Sequence, residues 1–353
     1  MTEWREDVLG AGFTCTELAL GADDEGPLVA TLVRALPEPV PLWDRLRGKR
    51  LPLADVDVLY VHGWSDYFFQ TELARFWTDR GARFYALDLR KYGRSLRPGQ
   101  TPGYITALGD YDEEIGQAFD VIAAAGPSGA PRDLVLFGHS TGGLVLSLWA
   151  ARHPDRAHAL VLNSPWLEFQ LATAGRQALS PIVNMTAKVT PKDAGPQVDA
   201  GFYMRAQREV GPAEELARLN PEWRPERSHT MSAGWLRAIL AGHDRVSRGL
   251  GIGIPVEVML SARSAVPLRW SEELTRADTV LDVEAVARAA LRLGGSVTID
   301  RIDGGLHDLF LSASGPRAEA YARLDRWLVG WRAQRSSFAV PAERHGGAHG
   351  ATG

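Results

Sequence analysis

Ser140 sits in Gly138-His139-Ser140-Thr141-Gly142, with "DLVLF" directly before and "GLVLSLWAARH" directly after. A hydroxyl on a tight turn between a buried strand and a helix is placed for nucleophilic attack. The glycines admit a backbone that Cβ atoms would obstruct, and the helix aims its N-terminal dipole at Oγ. The competing reading is a serine that merely caps the helix. A serine hydroxyl needs a base to take its proton, and His307 in "RIDGGLHDLFLS" follows the last predicted strand, where glycines let a loop reach the sheet edge. The other histidines fit less well: His139 lies inside the turn, His153 and His158 flank a helix end, and His345 and His349 fall in the tail. An orienting carboxylate is expected between serine and histidine in the chain. Asp278 and Asp282 are the candidates, with Glu272 and Glu273 behind them. Asp282 opens "VEAVARAALRLG" and suits the N-cap of that helix, which makes Asp278 the first choice and Asp282 the alternative.

Attack on a carbonyl creates an oxyanion, which needs preorganised N–H donors. One is expected from the backbone of Thr141, directly after the nucleophile. The other is expected from the Trp64 amide in the loop His62-Gly63-Trp64-Ser65-Asp66, where Gly63 allows a sharp turn. The Trp64 side chain needs no role beyond packing.

These groups converge only if strands and helices alternate. "VDVLYVHG", "ARFYALDLR", "DLVLFGHS" and "HALVLNSP" are short apolar runs that read as strands buried on both faces. Between them "YFFQTELARFWTDRG" and "YDEEIGQAFDVIAAAG" carry apolar residues at helical spacing, and "IPVEVMLSA", "DVEAVARAALRLGG", "SVTIDRID" and "RAEAYARLDRWLVGWRAQ" continue the pattern. The expected class is α/β, a mostly parallel central sheet flanked by helices, preceded by an antiparallel strand pair from "FTCTELAL" and "PLVATLVRAL". Residues 166–250 break the rhythm with helices separated by Pro- and Gly-rich loops, and so read as a helical insertion over the sheet's C-terminal edge, where ligands bind in such sheets. The expected division is a core of 1–165 and 251–335, the insertion 166–250, and a flexible tail 336–353.

A formal charge of −4 without clustered Lys or Arg argues against a nucleic-acid partner. Cys15 is the single cysteine, so no intramolecular disulfide can form. The charged N-terminus lacks the apolar stretch of a signal, and no run approaches the roughly 20 apolar residues of a membrane span. A cytoplasmic location is therefore expected. The glycines of "GLGIGIP" precede a strand, whereas a dinucleotide-binding turn must follow one. The chemistry proposed for Ser140 requires neither metal nor organic cofactor.

The chain resembles the α/β-hydrolases of the monoacylglycerol lipase, lysophospholipase and serine aminopeptidase-like branch over roughly residues 55–335. The resemblance rests on "VHGWSDYF", "ALDLRKYGRSLRPG", "GHSTGG", "RADTVLD" and "GGLHDL". It implies Ser140, Asp278 and His307 as a triad, Trp64 and Thr141 as oxyanion donors, and a lid over the site near residues 165–250. Asp88, Arg90, Gly93 and Ser95 match the branch pattern D-x-R-G-x-G-x-S, while Lys91 replaces a common glycine. The stretch "RSAVPLRWSEELTRA" also lengthens the loop before the acid and can add a wall to the pocket. Trp166, Phe169, Phe202, Tyr203 and Trp235 are the candidate pocket residues, with Trp223 nearby; an aromatic lining favours an apolar acyl or aryl group. Arg205 and "RPER" (224–227) read more simply as a solvated charged face than as an anion site. The expected partner is a small-molecule ester. The same constellation also serves amide or thioester hydrolysis and acyl transfer, and the fold also serves receptors that do no chemistry.

Overall fold

Among the residues that the computed structural model describes, 3–338 apart from 42, 44–46, 49, 126–131, 170, 171 and 198, nine strands join in one sheet. They are β1 (Arg5–Glu6), β2 (Phe13–Asp23), β3 (Gly26–Ala35), β4 (Val56–Val61), β5 (Arg83–Asp88), β6 (Asp133–His139), β7 (Ala159–Asn163), β8 (Val256–Ser261) and β9 (Val297–Ile302). Their order across the sheet is β1-β2-β3-β5-β4-β6-β7-β8-β9. The antiparallel edge expected from the sequence is present: β1, β2 and β3 pair antiparallel, and β3 meets β5 antiparallel. From β5 through β9 every pairing is parallel. All six residues of β4 and all six of β8 are buried, which explains why both are predominantly apolar on both faces, interrupted by a buried carboxyl residue in each, Asp57 and Glu257.

Chain direction across the sheet reverses at β4, whose neighbours are β5 on one side and β6 on the other. The crevice at the C-terminal ends of strands flanking such a reversal is the usual ligand site of an open α/β sheet. Gly63 follows β4 there, and Ser140 follows β6. Apolar clusters cover both faces of the sheet. One holds Leu59, Leu136, Leu144, Leu160 and Val258; the other holds Val58, Tyr60, Val135, Phe137 and Met259, alternating along the same strands. The closing helix Ser314–Phe338 seals the second face through Ala320, Leu324, Leu328 and Trp331. It runs three residues into the stretch expected to be tail; residues 339–353 lie outside the described residues.

Between β7 and β8 lie the helices Ala172–Val189, Phe202–Val210, Ala213–Leu216 and Ala233–Ser247. The last of these is no loose cover. Ser232 caps it by accepting from Trp235 N, and Trp235, Ala238, Ile239 and Val246 join the core that contains Leu144 and Leu148. No helix among the described residues is long and apolar enough to cross a membrane.

One core position carries a charge problem. Glu257 on β8 is fully buried beside Asp300 of β9. Burial first, and Asp300 second, push its carboxyl up to about 9. The folded chain thus keeps a proton that the unfolded chain releases above its ordinary value of 4.5. Stability from this group is complete below that value and is lost as pH rises towards 9, at about 1.4 kcal/mol per pH unit in between. Glu257→Gln is expected to flatten this slope, so that its Tm gains on wild type at pH 8 relative to pH 5. Parallel Tm profiles for the two proteins would contradict the buried-acid account.

Candidate active site

Ser140 stands at φ 51° and ψ −116°, between β6 and the helix Thr141–Arg152. A side chain in that region is strained, and surrounding contacts must hold it there. Here the turn is wedged against β4. A Cβ added to Gly142 would meet Val61 O at 2.3 Å and His62 O at 2.4 Å, so only glycine allows the helix to start this close to the neighbouring strand. A Cβ on Gly63 would come within 3.1 Å of Ser140 Cβ, which shows how tightly the loop after β4 lies on the nucleophile. Gly138 is the last residue of β6 that pairs with β4, opposite Val61. His62 fixes that loop from the core side: Nε2 accepts from Leu89 N at 3.1 Å, so its ring proton sits on Nδ1 and goes to Gly63 O at 2.8 Å.

The three groups expected from distant stretches meet. Ser140 Oγ lies 2.9 Å from His307 Nε2, and His307 Nδ1 lies 2.9 Å from Asp278 Oδ2. All three are buried. The remaining oxygen of Asp278, Oδ1, accepts from Val280 N at 2.7 Å and Leu281 N at 2.8 Å. With Nδ1–H donated to the carboxylate, Nε2 is left to accept the serine proton. Asp282 lies elsewhere. It caps the helix Val283–Ala290 by accepting from Glu284 N and Ala285 N, the structural role anticipated for it.

The loop carrying His307 is pinned by groups that sequence reasoning missed. Asp308 accepts from Asn163 Nδ2 at 2.8 Å, Gln70 Nε2 at 3.1 Å and its own Phe310 N at 3.0 Å, while Asp308 N donates to Tyr203 Oη at 3.2 Å. The Tyr203 ring stands edge-on to His307 with centroids 5.6 Å apart. Burial, then Asp308, raise the Tyr203 hydroxyl well above the ordinary phenol value, so it stays protonated. His139, whose Nδ1 lies 3.1 Å from Asn163 O, is held below the usual imidazole value by burial, against the pull of Asp308. The adjacency of Asp308 to His307 was the only visible signal for any of this.

A cavity of about 240 Å³ opens onto Ser140 and His307. Trp64, Thr141, His139, Trp166, Phe202 and Tyr203 line it, as do Met204, Met231, Val280 and Pro267 of the lengthened loop. Two expected pocket residues are not on its wall. Trp235 is fully buried behind it, packed against Trp64 with ring centroids 3.9 Å apart and planes tilted by 44°, and Phe169 packs on the core beside Trp166. Trp223 packs edge-on to Tyr67 instead. The solvated face expected for residues 224–227 also fails at its first member. Arg224 is buried, with Nε 2.9 Å from Asp66 Oδ1, whereas Arg205 covers the Trp270 ring and pairs with Glu209.

The segment after β5 serves as scaffold. Asp88 accepts from Phe68 N and from Arg94, Ser95 Oγ donates to Asp88 O, and Arg90 pairs with Glu114 and Glu113. Lys91 occupies the left-handed region at φ 62°, where glycine is unstrained. Its compensation is ionic: Nζ reaches Asp23 at 2.6 Å and Glu25 at 2.5 Å, tying the β2–β3 hairpin to this loop.

A family model described as "Serine aminopeptidase, S33" matches residues 54–267, more than half of the chain. The chain belongs to this family. Within the S33 family frame, it is 29% identical over 136 residues to a monoacylglycerol lipase of Mycolicibacterium smegmatis, covering 38% of this chain and 44% of that protein. It is 30% identical over 151 residues to the esterase PIR7B of Oryza sativa subsp. japonica, covering 39% of this chain and 53% of that one. The matches span about half the length of these curated relatives. Among solved structures, a soluble variant of the monoglyceride lipase of Saccharomyces cerevisiae superposes with a TM-score of 0.60 at 15% identity, covering 89% of this chain and 96% of that one. At that identity the likeness establishes the α/β-hydrolase fold.

Proposed function

We propose that this chain is a serine hydrolase that cleaves carboxylic esters of apolar acyl or aryl groups. The reading is carried by the unbroken hydrogen-bond chain from Ser140 through His307 to Asp278. Ser140 Oγ adds to the ester carbonyl carbon while its proton passes to His307 Nε2. Negative charge collects on the carbonyl oxygen, facing the Thr141 and Trp64 amides. Collapse breaks the acyl–oxygen bond, and the departing alcohol takes the proton from Nε2. Water then gives a proton to the same nitrogen, attacks the acyl-enzyme, and releases the carboxylic acid and Ser140. In this reading residues 166–250 form the lid, since Trp166, Phe202, Tyr203 and Met231 contribute to the cavity wall. Relatives named lipase and esterase support the substrate class.

Amide cleavage at a free N-terminus is the second reading, favoured by the family's description. Against it, the cavity's buried carboxylate has a cationic partner: Asp66 faces Arg224. Asp199 is likewise engaged by Gly201 N and Ser228 N. Side-by-side assays with p-nitrophenyl esters, aminoacyl anilides and acyl thioesters test the choice. The expected result is the highest kcat/KM for an ester of an apolar acid; preference for an anilide or thioester would overturn it.

A further inference from the structure

Trp64, Ser65, Asp66 and Tyr67 follow Gly63 in the loop after β4, and each has a partner in residues 218–229 of the insertion. Trp64 Nε1 donates to His229 O at 3.1 Å, and Ser65 Oγ accepts from His229 N at 3.0 Å. Asp66 Oδ1 lies 2.9 Å from Arg224 Nε, with both side chains buried. Tyr67 Oη accepts from Asn220 N at 2.8 Å and points at Arg218 O at 3.4 Å. Glu215 ends the series: it accepts from Thr71 N, Thr71 Oγ1 and Glu72 N at 2.7, 2.7 and 2.9 Å, at the start of the next helix.

Two features show that these contacts hold the loop rather than decorate it. Ser65 sits at φ 51°, a conformation that non-glycine residues keep only when their surroundings impose it. Arg224 is buried at the cavity wall: Nη2 donates to Gln207 Oε1 at 2.9 Å, and the guanidinium lies near the Phe69 and Tyr203 rings. The guanidinium is thus held by an ion pair to Asp66 and a charge-assisted hydrogen bond to Gln207 in a buried setting. From the core side the loop is tied at Gly63 by His62 and at Phe68 by Asp88; between these ties Trp64 to Tyr67 make their polar side-chain contacts with the insertion.

We propose that residues 215–229 are a positioning element for the oxyanion loop. Arg224 acts through Asp66, and the His229 backbone acts through Trp64 and Ser65, to set the Trp64 amide against Ser140. This inference rests on the serine-hydrolase reading. It means that the insertion contributes to turnover itself, beyond controlling access.

The test compares wild type, Arg224→Gln and Ser65→Ala in kcat and KM for p-nitrophenyl butyrate and in Ki for an aryl trifluoromethyl ketone. That ketone is attacked by Ser140 Oγ, the proton going to His307, and leaves an anionic hemiketal oxygen where the oxyanion would form. Displacing one donor by a fraction of an ångström is expected to lower kcat about 10- to 100-fold in Arg224→Gln and several-fold in Ser65→Ala. KM should move far less, and Ki should rise in step with the loss in kcat/KM. A rise in KM alone, with kcat and Ki unchanged, would make Arg224 a wall of the pocket and overturn the proposal. If Arg224→Gln does not fold, Ser65→Ala decides, since it removes one acceptor and buries no charge; unchanged kcat and Ki there would also overturn it. Failure of the wild-type protein to react with a fluorophosphonate would instead strike the underlying hydrolase reading.

Discussion

Replacing Ser140 with alanine is expected to lower kcat for a p-nitrophenyl ester by roughly 10⁴- to 10⁶-fold, with KM and Tm close to wild type. The effect is large because the hydroxyl is the only group that forms the covalent bond in the proposed route. Without it, the His307 base and the oxyanion amides can at best assist direct attack by water. The stability cost is small: among the described hydrogen bonds the Ser140 side chain makes only the one to His307, while its backbone bonds to Asn163, Gly143, Leu144 and Trp166 remain. Steady-state kinetics on a variant with wild-type circular dichroism checks this. Activity within tenfold of wild type would remove Ser140 from the chemistry.

Asp278→Asn is expected to cost about 10³- to 10⁴-fold in kcat. The amide keeps the shape, and its oxygen can still accept from Val280 N and Leu281 N. Its NH₂ then faces His307 Nδ1 and favours the tautomer with the proton on Nε2, which cannot accept from Ser140. Asp282→Asn gives the matched comparison, four residues along the chain. There the side chain caps a helix, and asparagine caps almost as well as aspartate, so kcat and Tm should both stay near wild type. Equal losses at the two positions would mean that the carboxylate assignment is wrong.

How much of this the sequence disclosed depends on how local each signal was. The parallel strands were legible because β4, β6, β7 and β8 are buried on both faces and so read as predominantly apolar runs without strict alternation. The elbow was legible because Gly142 and Ser140 are adjacent in the chain and in space. Asp282 was separated from Asp278 by its place at a helix start, which is also local information. The aromatic residues of the insertion were harder. Trp166 and Trp235 look alike in sequence, yet one lines the cavity and the other fills the space behind Trp64. Only tertiary packing distinguishes them. Arg224 was misread for the same reason: "RPER" has the composition of a solvated turn, and nothing in its spacing announces Asp66 as its buried partner. Lys91 shows a third case, where a departure from the family pattern became intelligible once Asp23 and Glu25 were seen to surround its ammonium group.

The most direct test of the central claim is reaction of the folded protein with a fluorophosphonate probe, followed by mass spectrometry of the intact chain and its peptides. One adduct per chain is expected, located on Ser140 and greatly slowed in His307→Ala. A protein that stays unlabelled, or an adduct on another residue, would contradict the assignment of Ser140, His307 and Asp278 as a working nucleophile, base and acid.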